Sequence, residues 1–339
     1  MNIDAPKITD ELLGALPRRA KEVLERRFGI GKARERKTLE SIGTSYGITR
    51  ERVRQIEAYG LKKLRSNELI EKHKPSFDEL KAELIKRGGI SEEDSFLTAL
   101  ARSPEDKNYF RFLLTLAGNF KKIKEDNEFK HRWTADERLA EACHQTLRLM
   151  HKDLENKDPL GEKELKTKLA LTAKGILGQD VTEEMTSSWI SVSKKMGQNK
   201  LGEWGLVDSP HISPRGVRDL AYLIMKRHGS PMHFSEVAMA IRKNMSEKAH
   251  VQTVHNELIK DGRFVLVGRG LYALKEWGYE PGTVRDIIFN ILNSQGPLPK
   301  DKLIEKVLKE RHVKLATVQI NLQNKKFFKV LEDGRVSAI

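Results

Sequence analysis

The stretch Thr38–Leu64 restricts the fold more than any other part of the chain. It reads T-L-E-S-I-G-T-S-Y-G-I-T-R-E-R-V-R-Q-I-E-A-Y-G-L-K-K-L. Leu39 and Ile42 place apolar groups on one face of a short helix. Gly47 then supplies a turn where positive φ costs little. Ile48 plugs the corner, and Thr49 is placed to cap the next helix at its free N–H groups. Val53, Ile56, Leu61 and Leu64 form the buried stripe of that longer helix. Arg50, Glu51, Arg52, Arg54 and Gln55 lie on its other face. A helical hairpin with a merely solvated charged face would share the apolar pattern. Forked, base-reading side chains at the N-terminal end of the second helix favour a DNA-binding helix-turn-helix.

Upstream, Leu16–Ile30 reads L-P-R-R-A-K-E-V-L-E-R-R-F-G-I. Together with T-R-E-R-V-R-Q-I-E-A at Thr49–Ala58, this stretch of about fifty residues resembles region four of bacterial primary sigma factors. The resemblance implies a second helix that enters the major groove of the upstream promoter element. It also implies a module that docks on the flap of the RNA polymerase beta subunit. By the same resemblance Arg50, Glu51, Arg54 and Gln55 sit where sigma factors read the promoter.

The chemistry of those side chains agrees. Arg50 and Arg54 carry the planar fork that pairs with the O6/N7 edge of guanine, Gln55 can bridge adenine N6/N7, and Glu51 can accept from cytosine N4. Arg52, Lys62, Lys63 and Arg65 are expected on phosphates, where they set register and salt dependence without reading sequence. Charge supports a polyanionic partner. The chain has a net charge of +14. Residues 1–75 hold 18 Lys and Arg against 11 Asp and Glu, so half of the excess sits in under a quarter of the sequence.

The C-terminal half contains a repeat. Thr253-Val254 matches Thr317-Val318, and the same 64-residue shift pairs Leu258 with Leu322, Phe264 with Phe328 and Gly270 with Gly334. Pro231-Met232 pairs with Pro297-Leu298. Each copy reads as three helices and then two short strands about a glycine turn, which is a winged helix. In the first copy the strands are R-F-V-L-V and L-Y-A-L; in the second they are F-F-K-V-L and R-V-S-A-I. Asp219–Ala238, followed by D-G-R-F at Asp261–Phe264 and L-K-E-W at Leu274–Trp277, resembles the HARE-type helix-turn-helix. That domain forms the folded part of the RNA polymerase delta subunit in Gram-positive bacteria. The resemblance implies DNA or polymerase association and no catalysis.

In these copies Val251, Val254 and Leu258 are expected to face the core, leaving His250, Gln252, His255 and Asn256 outward. Arg269 sits at the wing tip. Gln252, His255 and Arg269 are candidate DNA contacts, with Thr317, Gln319 and Lys325 comparable in the last copy. Solvated polar faces that pack on a partner explain them equally well.

Length alone predicts two to four units for 339 residues. The full reading is a mainly α, multi-domain array of helix-turn-helix and winged-helix units. The sigma-like unit takes 1–75, with Ser66–Ser76 as a linker and Pro75 as a stop. A degenerate winged helix follows at 76–133, and a helical, potentially winged unit at 134–212. The HARE-like winged helix spans 213–279 and a second winged helix 280–339.

No catalytic constellation is apparent. Cys143-His144 with His151 forms no ligand set, because neighbours point to different faces and one Cys with scattered His residues is too few. Phosphate-loop and dinucleotide glycine patterns are absent, so no cofactor, metal or small-molecule substrate is expected. One cysteine fits a reducing, cytoplasmic setting. No apolar run reaches a membrane span, and the N-terminus lacks the parts of a signal peptide. Aromatics make up 6% of the chain, and nothing resembles the aromatic-rich helices with which sigma factors melt promoters. The expectation is a non-enzymatic transcription protein that reads promoter-like double-stranded DNA and associates with RNA polymerase without being a complete sigma factor. An accessory subunit acting mainly through protein contacts is the alternative.

Overall fold

The computed structural model describes residues 3–245 and 249–339. Helix covers 58% of the described residues, and the sheets are small and antiparallel, so the molecule is mainly α. It divides into two compact units. The first comprises residues 1–197 and 203–207, and the second comprises 198–202 and 208–339.

The first unit opens with α1 (Ala5–Gly14), α2 (Arg18–Phe28), α3 (Leu39–Tyr46) and α4 (Arg50–Arg65). Asp4 caps α1 by accepting from the N–H of Lys7. Nothing in the charge or motif pattern singled α1 out. Its Ala5, Ile8, Leu12 and Leu13 are nevertheless buried at helical spacing. Short α5 (Glu68–Lys72) and then α6 (Lys74–Lys86) follow.

Ser66–Ser76 was expected to be a linker ended by Pro75. Instead Asn67 starts a new helix by accepting from the N–H of Leu69, and Pro75 lies in the first turn of α6. Proline is at home there, because the first helical N–H groups have no intrahelical acceptor to lose. Leu69 and Ile70 pack on the core.

From α6 onward one topology recurs. After α6 come β1 (Ile90–Glu92), α7 (Glu93–Leu100), α8 (Asp106–Leu116), β2 (Lys121–Ile123) and β3 (Arg132–Thr134), with sheet order β1-β3-β2. The next copy has α9 (Glu137–Leu154), α10 (Glu162–Leu177), α11 (Glu183–Val192), β4 (Met196–Gln198) and β5 (Trp204–Leu206). Its first strand is reduced to a single bridge between Leu160 and Trp204.

In the second unit, α12 (Val217–His228), β6 (Met232–His233), α13 (Phe234–Met245), α14 (Val251–Lys260), β7 (Phe264–Gly268) and β8 (Leu271–Leu274) have order β6-β8-β7. The last copy has α15 (Val284–Gln295), β9 (Leu298–Pro299), α16 (Lys300–Glu310), α17 (Leu315–Leu322), β10 (Phe328–Val330) and β11 (Arg335–Ala338), in order β9-β11-β10. The four copies therefore share one helix–strand–helix–helix–hairpin order. The two hairpin turns read at Gly270 and Gly334 both have positive φ. The opening strand of each copy escaped sequence reading, because two or three residues are too few to show an alternating pattern.

Packing does not divide at residue 75. One apolar core runs from Ile3 through Leu24, Phe28 and Leu64 to Phe96, Phe112 and Trp133. Its centre is α8, whose Phe110, Phe112, Leu113, Leu114 and Leu116 are all buried. Helices α1, α2 and α4 cover α8. Phe28 meets Phe112 edge to face, with ring centroids 5.2 Å apart. The Asn108 amide donates to the Gly29 carbonyl at 3.2 Å, and the Gly31 N–H donates to the Tyr109 hydroxyl at 3.1 Å. Each fully buried Phe or Leu contributes roughly 1.5–3 kcal/mol, so the first copy is a foundation for the sigma-like helices.

Candidate nucleic-acid interface

The helix-turn-helix is held from inside by Val23, Ile42 and Val53, with Leu39, Tyr46, Ile48 and Ile56 packed around them. Thr38 caps α3 by accepting from the Ser41 N–H at 3.1 Å, and Thr49 caps α4 by accepting from the Arg52 N–H at 3.2 Å. Gly47 closes α3 at φ 66°. The turn is so tight that a β-carbon on Gly43 would lie 2.6 Å from the Ile48 carbonyl oxygen. Glycine is required there by contact, not by backbone angle. Further along, Gly60 lets α4 approach α2, facing Leu24 and Ala20.

This frame presents Arg50, Glu51, Arg52, Arg54 and Gln55 together on the exposed face of the first turns of α4. Two contacts pre-order four of them. Glu51 accepts from Arg54 through both carboxylate oxygens, at 2.7 and 2.8 Å, and Gln55 accepts from Arg52 at 3.0 Å. The Arg54 hydrogen bond holds the Glu51 carboxyl below its ordinary range. Arg50 stands at the first helical position. Lys62 and Lys63 are exposed on the last turns of α4.

Arg65 departs from expectation. It was assigned to phosphate, but its Nε donates to the Leu116 carbonyl at 3.0 Å and a terminal nitrogen donates to Thr115 at 2.8 Å. These carbonyls end α8 without intrahelical donors, and a guanidinium is a favourable partner for them. His255 is a second correction. Its ring was expected outward, yet it is half-buried and stacked on Phe234 at 4.2 Å, with Tyr272 at 6.0 Å. Stacking two planar rings removes apolar surface that a solvated imidazole would leave exposed. Gln252 is exposed and donates to Asn256, and Arg269 is exposed between β7 and β8.

Sequence reasoning missed a cleft of about 690 Å³ beside the helix-turn-helix. Arg26, Lys32, Arg34 and Lys37 line it together with Glu22, Glu25 and Glu35, so its charge is mixed. Arg26 donates to the Ser45 hydroxyl at 2.8 Å and lies 4.9 Å over the Tyr46 ring. The basic run K-A-R-E-R-K just before α3 was the available signal.

Other candidate chemistry is enclosed. Cys143 is buried, and desolvation pushes its thiol well up. His144 accepts from Arg132 at 2.9 Å, and His151 Nε2 lies 2.8 Å from the Ser193 hydroxyl. Among the described residues no three metal-ligating side chains cluster, and no helix is long and apolar enough to cross a membrane.

A capped, glycine-tightened helix pair with a forked, charged outer face defines the class: a DNA-binding helix-turn-helix. Comparison with known proteins places it more closely. Residues 12–66 match the Sigma-70, region 4 family. A stretch of 56 residues is 50% identical to the RNA polymerase sigma factor SigA of Bacillus sp. That similarity covers 16% of this chain and 15% of the relative's length. The likeness to sigma region 4 is confined to residues 12–66, the stretch that holds the helix-turn-helix. The match leaves most of both proteins unpaired.

Proposed function

We propose that this chain is a non-enzymatic transcription protein that reads promoter-like double-stranded DNA with α4 and associates with RNA polymerase without acting as a complete sigma factor. The observation that carries this reading is the pre-ordered set Arg50, Glu51, Arg52, Arg54 and Gln55 on the open face of a sigma region 4 match. Arg50 and Arg54 would take guanine, Gln55 adenine and Glu51 cytosine, while Lys62 and Lys63 would hold phosphates. The winged copies, including the HARE-like one at 213–279, would add DNA or polymerase contacts through Gln252 and Arg269. The setting would be cytoplasmic, with no cofactor and no small-molecule substrate.

Binding-site selection with the full-length protein, repeated across salt concentrations, tests the reading. A defined motif and a steep fall of affinity with salt are expected. Sequence-independent binding would sink it.

One observation favours an accessory-subunit reading. The helix that would face DNA in the last copy, Leu315–Leu322, contains no charged residue, and its Leu315 and Ile320 are exposed. Such a face suits a protein better than a phosphate backbone. Polymerase co-purification that survives nuclease, with weak binding to free DNA, would select this alternative.

A further inference from the structure

The second unit already shows what its sheet edges can receive. In the HARE-like copy the outer strand is β7, because the order is β6-β8-β7. The segment after α16 lies against it, and the His312 N–H donates to the Val267 carbonyl at 2.9 Å. Buried Arg311 fixes that segment by donating to the carbonyls of Glu280 and Gly282. An extended piece of chain thus closes the edge of one copy.

The equivalent edge in the last copy is β10, and no described residue closes it. Lys329 pairs with Ser337 across β11, and Leu331 donates to Arg335. Antiparallel alternation therefore turns the N–H and carbonyl of Val330 away from the sheet, and no described residue bonds either group. An unpaired edge of this kind is a template for another strand.

Beside it runs a groove of about 530 Å³ between α17 and the hairpin. Half-buried Leu322 and Val330, which is 68% exposed, supply the accessible apolar surface above the buried Phe328 and Val336. Lys300, Lys325 and Lys329 stand around it. None of the three forms an ion pair with a described residue. An apolar floor with an unneutralised cationic rim complements a segment that alternates apolar and acidic side chains.

We propose that this groove binds an extended, acidic segment of a protein partner, which adds a strand to β10. Its main chain pairs with Val330, its apolar side chains settle on Leu322 and Val330, and its carboxylates meet Lys300, Lys325 and Lys329. Main-chain pairing supplies affinity and the alternate side chains supply selectivity. The uncharged α17 disfavours duplex DNA as occupant, since phosphate contacts dominate such affinity.

The test uses the full chain and fluorescence anisotropy. The probes are a labelled synthetic peptide alternating valine with glutamate, its twin with alternate backbone nitrogens methylated, and a labelled random-sequence duplex. Saturable binding of the first peptide is expected. Methylation of the probe, or the paired substitutions Lys325→Glu and Lys329→Glu, should each weaken it about tenfold or more, the worth of one good polar interaction. Methylation leaves the protein untouched, so misfolding cannot mimic that result. Equal binding of both peptides overturns the proposal, as does no saturable binding. Lysine substitutions that weaken the duplex and spare the peptide would also overturn it, making the groove a nucleic-acid surface.

Discussion

Arg65, at the end of α4, donates to the carbonyl of Leu116, at the end of α8, across 3.0 Å. The outward-facing helix of the sigma-like pair is thereby tied to the central helix of the first repeated unit. Replacing Arg65 with alanine should cost about 1–2 kcal/mol of stability, the worth of charge-assisted bonds to helix-end carbonyls. Urea unfolding measures this. DNA affinity and its salt slope should hardly move, and a clear loss of salt dependence would return Arg65 to the phosphates.

Lys62→Ala and Lys63→Ala should behave oppositely. Each lysine withdrawn from a phosphate lowers the slope of log affinity against log salt by about 0.9. The sequence motif should stay the same, and equilibrium titrations at several salt concentrations decide the point.

Gln55→Ala should flatten sequence preference more than total affinity, because a good bidentate base contact carries roughly 1–3 kcal/mol of discrimination. An unchanged motif from site selection on this variant would show that Gln55 does not read a base.

Gly43→Ala should disrupt the helix-turn-helix, since the new methyl group would lie 2.6 Å from the Ile48 carbonyl oxygen. Backbone must shift to admit it, at a cost of about 2 kcal/mol or more. Urea unfolding should show the loss, together with weaker specific binding. Wild-type stability would mean that the turn relaxes freely.

His151 predicts a pH response. It is buried, and desolvation lowers its pKa to about 4 from an ordinary 6.5. The Nδ1 atom has no hydrogen-bond partner among the described residues. The unfolded chain binds the proton more readily, so the contribution is intact above about pH 6.5 and is lost as pH falls toward 4. Up to about 3 kcal/mol is at stake over that window. Unfolding of His151→Gln should show a shallower acid slope than the natural chain, and equal slopes would remove His151 as the cause.

The α3–α4 pair was legible because its causes are local. A stripe at 3.6-residue spacing, threonine caps and a turn glycine each act within a few residues, so Thr38, Gly47 and Thr49 announce themselves. The two C-terminal copies were legible through their shared 64-residue shift. Gly43 looked like any helical glycine, because the atom that forbids a side chain there belongs to Ile48 and is met only when the turn closes.

By itself, then, the sequence determined the helix-turn-helix, the residues on its outer face and the repeated order of helices and hairpin in the C-terminal half. Only the tertiary structure decided which of those faces remain open. It enclosed α8 beneath α1, α2 and α4, tied Arg65 to the end of α8, laid His255 on Phe234 and left the edge of β10 uncovered by described residues. The reason is physical. Propensity and capping act along the chain, whereas burial and edge pairing depend on which distant segment arrives, and that information is spread over residues far apart in sequence.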